Sequence, residues 1–154
     1  MFADKKAPAV RLIALLLVIF LALPGLITTA SASTSRASYY LDSYNTYIYP
    51  AALGKVQVWF TVTGIEYMDD IGALSVQIYE STDNETWTWV KTYKHDKTAG
   101  MLGHDDYFHS GHVEYQGTIG RYYKAYVTIW AGKDGAGDTR YMWTLPKKAT
   151  LFAS

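Results

Sequence analysis

Lys55-Val56-Gln57-Val58-Trp59-Phe60-Thr61-Val62-Thr63 sets Val56, Val58, Phe60 and Val62 in alternation with Gln57, Trp59, Thr61 and Thr63. Side chains repeat every two residues along a β-strand and every 3.6 along a helix, so this spacing describes a strand with one apolar face. Arg121 to Ala131 repeats the pattern, with Tyr123, Ala125, Val127 and Ile129 on one side and Tyr122, Lys124, Tyr126, Thr128 and Trp130 on the other. No apolar 3.6 repeat of useful length follows residue 39, so the fold class is all-β.

Working outward from these two strands, Ala73 to Glu80 points Leu74, Val76 and Ile78 inward and returns, after the polar run Ser81 to Glu85, as Thr86 to Lys94. A connection that short makes the pair a hairpin. Gly132 to Asp138 turns Arg121 to Ala131 into Thr139 to Leu145 in the same way. Tyr44 to Tyr49, halted by Pro50, and His112 to Gln116, ended by Gly117 and Gly120, bring the expected total to seven. Seven short strands in about 110 residues predict a single antiparallel β-sandwich, because one open sheet leaves an apolar face in water.

The first 32 residues are a different object. Met1 to Arg11 is mildly basic, Leu12 to Leu23 is an unbroken apolar run of 12 residues, and Pro24-Gly25 leads to the small tripeptide Ala30-Ser31-Ala32. That order describes a secretory signal peptide cleaved near Ala32, which places the mature chain outside the cell. The run is shorter than the roughly 20 residues a helix needs to cross a bilayer, so no membrane span is expected in the mature form. Ser33 to Ser38 is small and polar and reads as a flexible lead-in to a β domain over residues 39–154. From Ser33 onward there are 11 basic and 13 acidic residues, so neither sign dominates and a nucleic-acid partner is not expected. The chain has no Cys, which removes disulfides, Cys-ligated zinc and thiol catalysis and leaves stability to packing.

Tyr123-Lys124-Ala125, with a Tyr two residues before an inward small residue, resembles the late strand of immunoglobulin-like and fibronectin type III-like domains, and so implies their sandwich. Gly64-Ile65-Glu66-Tyr67-Met68-Asp69-Asp70-Ile71-Gly72-Ala73 and Gly120-Arg121-Tyr122-Tyr123-Lys124-Ala125-Tyr126-Val127-Thr128 look like a family of small exported Gram-positive bacterial proteins of unknown function. That resemblance covers most of the mature chain and brings no activity with it. Ser81-Thr82-Asp83-Asn84-Glu85-Thr86-Trp87 is similar to the Asp-box of sialidase-type propellers, one residue shorter and without its Gly. The box is a hairpin turn in which Asp and Ser bond nearby backbone, so a structural role is expected, and no internal repeat supports a propeller.

Two candidate sites follow from the strand pattern. If strands reverse at each connection, Gly64 to Gly72, His95 to Gly111 and Gly132 to Asp138 share one end of the domain. They would gather Asp69, Asp70, His104, Asp105, Asp106, His109, Asp134 and Asp138 into a rim rich in carboxylate and imidazole. Carboxylates with backbone carbonyls suit Ca²⁺, and His with Asp suits Zn²⁺; the alternative is a set of solvated loops, diluted by Lys94, Lys97 and Lys133, with no cofactor. Within the rim, His109 and His112 point to opposite faces of an extended chain, and a hydrolytic trio of Ser110, His112 and Asp106 lacks a nucleophile elbow. Catalysis is therefore not expected. Tyr107 to His112 is similar to the His- and Ser-containing centre of lactococcin-972-like bacteriocins.

The second candidate is aromatic. Tyr122, Tyr126 and Trp130 share the outward side of their strand, and Tyr79, with Gln77, has the same parity on its own. On one sheet these would form a platform able to stack on the apolar side of a sugar ring while amide, ammonium and phenol groups reach its oxygens. The competing reading is that the rings cover cross-strand neighbours and brace the sheet. The expected function is a secreted, non-catalytic binding module whose partner is a glycan or protein at a cell surface. A secreted antimicrobial or toxin-like protein and a metal-dependent hydrolase built on the rim are the alternatives.

Overall fold

The alternation that begins at Lys55 does not stop at Gly64. In the computed structural model, which describes residues 38–153, a single strand β2 runs for 27 residues from Lys55 to Ser81. β1 (Leu41–Pro50) and β5 (Tyr122–Lys133) lie in succession along one edge of it, and β4 (Leu102–Gln116) and β3 (Thr88–Lys94) along the other. The outer edge of β5 carries β6 (Ala136–Trp143) and the two-residue β7 (Lys147–Lys148). All seven strands join one antiparallel sheet. The expected signal peptide and all of the expected lead-in except Ser38 lie outside the described residues.

The all-β antiparallel class is as expected, but two boundaries are not. Gly64 to Gly72, expected as a loop, is the middle of β2, so the strands expected over 55–63 and 73–80 are one; β7 makes up the count of seven. Of the loop expected over His95 to Gly111, everything from Leu102 onward belongs to β4. Gly, Asp and His are poor strand formers, yet Asp70 pairs with His104 on one side and Gly132 on the other, and two-sided pairing outweighs intrinsic preference.

Straight, a strand of this length would measure about 90 Å, against a radius of gyration of about 13 Å for a folded domain of about 115 residues. Two irregularities break the register. Between Thr63 and Met68, residues 64–67 of β2 face only Tyr107 of β4, and a Cβ on Gly64 would lie 2.9 Å from the Glu66 carbonyl oxygen and from Met68 Cγ. A second shift falls between Ala73 and Ser75. It takes Leu74, expected inward, to a half-buried position and gives the buried place to Ala73.

Val56, Val58, Phe60 and Val62 from the first half of β2, Val76 and Ile78 from the second, and Tyr123, Ala125, Val127 and Ile129 from β5 are all 0 % exposed and form one cluster. A single sheet can hide one whole face only by folding back over it. Hydrogen bonds fix this closure. Asp138 Oδ2 on β6 accepts from Ser38 Oγ and from the Tyr39 and Tyr40 amides just ahead of β1 (2.6, 2.8 and 3.2 Å). The amides of Leu53 and Gly54 donate to the carbonyls of Leu151 and Thr150, both at 2.9 Å. At the β2–β5 end, the buried Tyr123 hydroxyl donates to Glu80 and accepts from the Thr118 amide at 2.8 Å. Burial, and then Glu80, push this phenol up to about 12.

One core position is imperfect. Thr46 of β1 pairs with Phe60, is buried, and leaves its hydroxyl without a hydrogen-bond partner among the described residues. Thr46→Val keeps the shape and removes the desolvated hydroxyl, so the folded state should gain about 1 kcal/mol, read from the midpoint of urea unfolding. A lower midpoint would show that the hydroxyl is satisfied after all.

Candidate functional site

The three segments expected to form a rim do meet, through strand pairing. Lys133 Nζ lies 2.7 Å from Glu66 Oε2, the Asp134 amide donates to Asp69 Oδ2 at 2.7 Å, and His104 Nδ1 is 2.6 Å from Asp70 Oδ1. Asp106 Oδ1 accepts from the amides of Tyr107 and Phe108 (2.7 and 3.2 Å). His109 turns away: its Nε2 donates to the Gly100 carbonyl at 2.9 Å, and its ring fills a notch where Cβ atoms on Gly72 and Gly103 would lie 2.9 and 2.7 Å from it. Asp138 is committed to Ser38, Tyr39 and Tyr40, and Asp105 occupies the left-handed region with φ 50°. Among the described residues, no three His, Asp or Glu side chains are placed to share a metal ion. His112 stacks flat on Trp59, with ring centroids 4.4 Å apart.

The other candidate lies on the outer face of β3, the second half of β2, β5 and β6. Val127 and Ile129 are fully buried, and Tyr122, Tyr126 and Trp130 alternate with them on the outer side, half-buried, as does Tyr79 on β2. They are half-buried because they pack on one another and on rings that parity within single strands does not reveal. Trp143 lies across both Tyr79 (centroids 5.1 Å apart) and Tyr126 (4.8 Å), and Tyr141 stacks on Tyr126 at 5.9 Å with an interplanar angle of 3°. Trp130 covers Gly132 and Gly137, where a Cβ would come within 2.5 Å of its ring. Lys148 Nζ sits 5.4 Å from the Tyr122 centroid.

Trp143 and Tyr141 are the rings that sequence reading missed, and they are 51 % and 61 % exposed. The signal was available, because in an antiparallel hairpin Trp143 falls opposite Tyr126 and Tyr141 opposite Thr128. Lys124, which parity already places on this side, is held by rings that its own strand does not supply. Its ammonium lies 4.4 Å from the Trp87 centroid and 4.6 Å from that of Trp143, so two indoles clasp it. Polar groups between the rings are held in place: the Tyr79 hydroxyl donates to Gln77 Oε1, Ser75 Oγ to Thr128 Oγ1, and Trp89 Nε1 to Thr92 Oγ1, each at 3.0 Å. The lower rings brace the sheet, and Trp143, Tyr141 and the 57 % exposed Trp89 present flat apolar surface to solvent.

The turn that positions Trp87 is the Asp-box-like segment. Asp83 Oδ1 accepts from Ser81 Oγ (2.7 Å) and from the amides of Glu85 (2.9 Å) and Thr86 (2.8 Å), and Ser81 Oγ accepts from the Asn84 amide at 2.9 Å. Asn84 takes φ 63°. The segment is thus a self-bonded turn, and it delivers an indole to the platform.

No family model matches the chain, and no curated protein matches it in sequence. Among solved structures it is similar to Spo0M, a sporulation control protein from Bacillus subtilis, at 11 % identity and a TM-score of 0.38, over 67 % of this chain and 48 % of that one. It is also similar to a family 76 glycoside hydrolase from a bovine Bacteroides thetaiotaomicron strain, at 14 % identity and a TM-score of 0.30, over 68 % of this chain and 20 % of that one. The chain therefore spans about half of the first and a fifth of the second. Likenesses at this level assign no activity and no ligand.

The backbone amides of Glu85 and Thr86 and the Ser81 hydroxyl hold the Asp83 carboxyl far below the usual carboxylate range. A depressed folded-state value means the stabilisation is complete above the ordinary value of 3.8 and is lost as pH falls through the folded one. Asp138 is lowered in the same direction, chiefly by Ser38. The melting temperature should accordingly fall as the solution is acidified below about pH 4. Asp83→Ala should start lower at neutral pH and lose less on acidification; equal acid sensitivity in both proteins would remove Asp83 from the account.

Proposed function

We propose that the chain is an extracellular, non-catalytic binding module that takes a glycan on the outer face of β2, β5 and β6. It would be one of the small exported Gram-positive proteins that its Gly64–Ala73 and Gly120–Thr128 segments resemble, with the leader ahead of Ala32 directing export. The observation that carries the reading is the exposure of Trp143 and Tyr141 on a base of packed rings. Half-exposed rings whose lower sides are already packed lose little freedom on binding, and their free faces match the apolar face of a pyranose. Gln77, Thr128 and Lys124 stand among them to reach sugar hydroxyls.

The non-catalytic part is supported by the state of the would-be hydrolytic trio. His112 is stacked on Trp59, Asp106 is occupied by backbone amides, and Ser110 lies on the outer side of β4 opposite Thr61. A glycan array probed with residues 33–154 should show binding. Trp143→Ala should weaken it by about tenfold or more, the scale of a lost stacking partner. Tyr49→Ala, on the outer side of β1 against the other half of β2, should leave binding intact. Absence of binding to any glycan, or equal loss in both variants, would overturn the proposal.

A further inference from the structure

Resting on that glycan reading, we propose that the ligand is acidic, a polysaccharide whose sugar units carry their own carboxylates. Counted over the whole chain, Lys and Arg balance Asp and Glu at 14 each. The platform does not share that balance. The outward positions of β3, of Ser75 to Tyr79 on β2, of Tyr122 to Trp130 on β5 and of Thr139 to Trp143 on β6, with β7, hold Lys94 opposite Ser75, Lys124, and Lys148 against Tyr122, and none of them is Asp or Glu. Most of the nearby carboxylates are engaged elsewhere, Glu80 with Arg121 and Tyr123, Asp138 with Ser38, Asp70 with His104 and Asp83 within its own turn, and Glu85 is exposed on that turn two residues from Trp87.

Among the described residues, Lys55, Lys133, Arg121 and Arg140 each have a carboxylate within 4.0 Å, and the three platform lysines, like Lys91, Lys97 and Lys147, have none. Contact with an aromatic face positions an ammonium without neutralising it. Lys124 is therefore a fixed, unpaired positive charge 4.6 Å from the centroid of the exposed Trp143 ring. In a uronic acid the carboxylate is attached to the sugar ring itself, so one unit can stack on an indole and meet an ammonium at its edge. A phosphodiester between sugars sets its charge outside the ring, which fits this spacing less well. Charge complementarity thus favours an acidic polymer over a neutral one, and the attachment of the carboxylate to the stacked ring favours a polyuronate over a phosphate-linked chain.

Titration calorimetry with residues 33–154 tests this, using polygalacturonate, its fully methyl-esterified form, and inorganic polyphosphate. Polygalacturonate should bind with an affinity that falls as salt rises, and esterification, which keeps the ring and removes the charge, should cost about tenfold. Lys124→Gln should weaken polygalacturonate by a similar factor and leave the ester unchanged, Lys124→Arg should restore most of the loss, and circular dichroism should show all variants folded. Equal binding of acid and ester overturns the acidic ligand while leaving the glycan reading standing. Polyphosphate binding as tight as polygalacturonate overturns the uronate in favour of charge alone. No binding of either uronan, combined with a blank glycan array, overturns both readings; no binding of either uronan with a positive array overturns only this one.

Discussion

Burial of an apolar face by both ends of the 27-residue strand β2, Val56 to Val62 and Val76 to Ile78, in one shared core is the constraint on which the rest depends. No straight strand of that length fits a domain of this size, so β2 must bend, and its two register breaks, between Thr63 and Met68 and between Ala73 and Ser75, supply the extra residues that bending needs. The bends let the halves of the strand share one core. They also give the two ends of the strand different neighbours, β1 and β4 at the first and β3 and β5 at the second, with β4 continuing to Gly72 so that the sheet is not interrupted.

The outer face follows from the inner one. Once Val127 and Ile129 are committed to the core, a period of two sends Tyr126, Thr128 and Trp130 the other way, and pairing with β6 lays Trp143 and Tyr141 beside them. The rings then have two tasks that do not compete. Those at the base pack against cross-strand partners and glycines, helping a domain without disulfides to hold its shape, and those above remain exposed on a stiff support. The Asp83 turn belongs to the same arrangement, since its self-bonding orients the hairpin that carries Trp87 to Lys124.

Sequence patterning reveals the parity of 55–63 and 121–131, both hairpins, and the all-β class, because each is a local period or a local turn. The continuity of β2 was hidden: Gly64, Asp69, Asp70 and Gly72 carry turn chemistry, and only pairing with residues distant in sequence makes them strand. For the same reason the acidic rim looked like a cluster of loops, whereas strand pairing sets its carboxylates against Lys133, His104 and backbone amides. Tyr122, Tyr126 and Trp130 could be placed on one side from parity alone, and Tyr79 joins them because its strand pairs with β5 in the same sheet. The stacking of Trp143 on Tyr126 and the clasping of Lys124 depend on the hairpin register and the position of Trp87, which no single segment encodes.

The central claim is that the rings opposite the β5 core residues are the contact surface. The side-chain N–H signals of the 5 tryptophans report it residue by residue in a two-dimensional NMR titration with polygalacturonate. The account predicts shifts at Trp87 and Trp143, with Trp59, which is stacked on His112 in the other half of the sheet, unmoved. Shifts at Trp59 with Trp87 and Trp143 unmoved would contradict it.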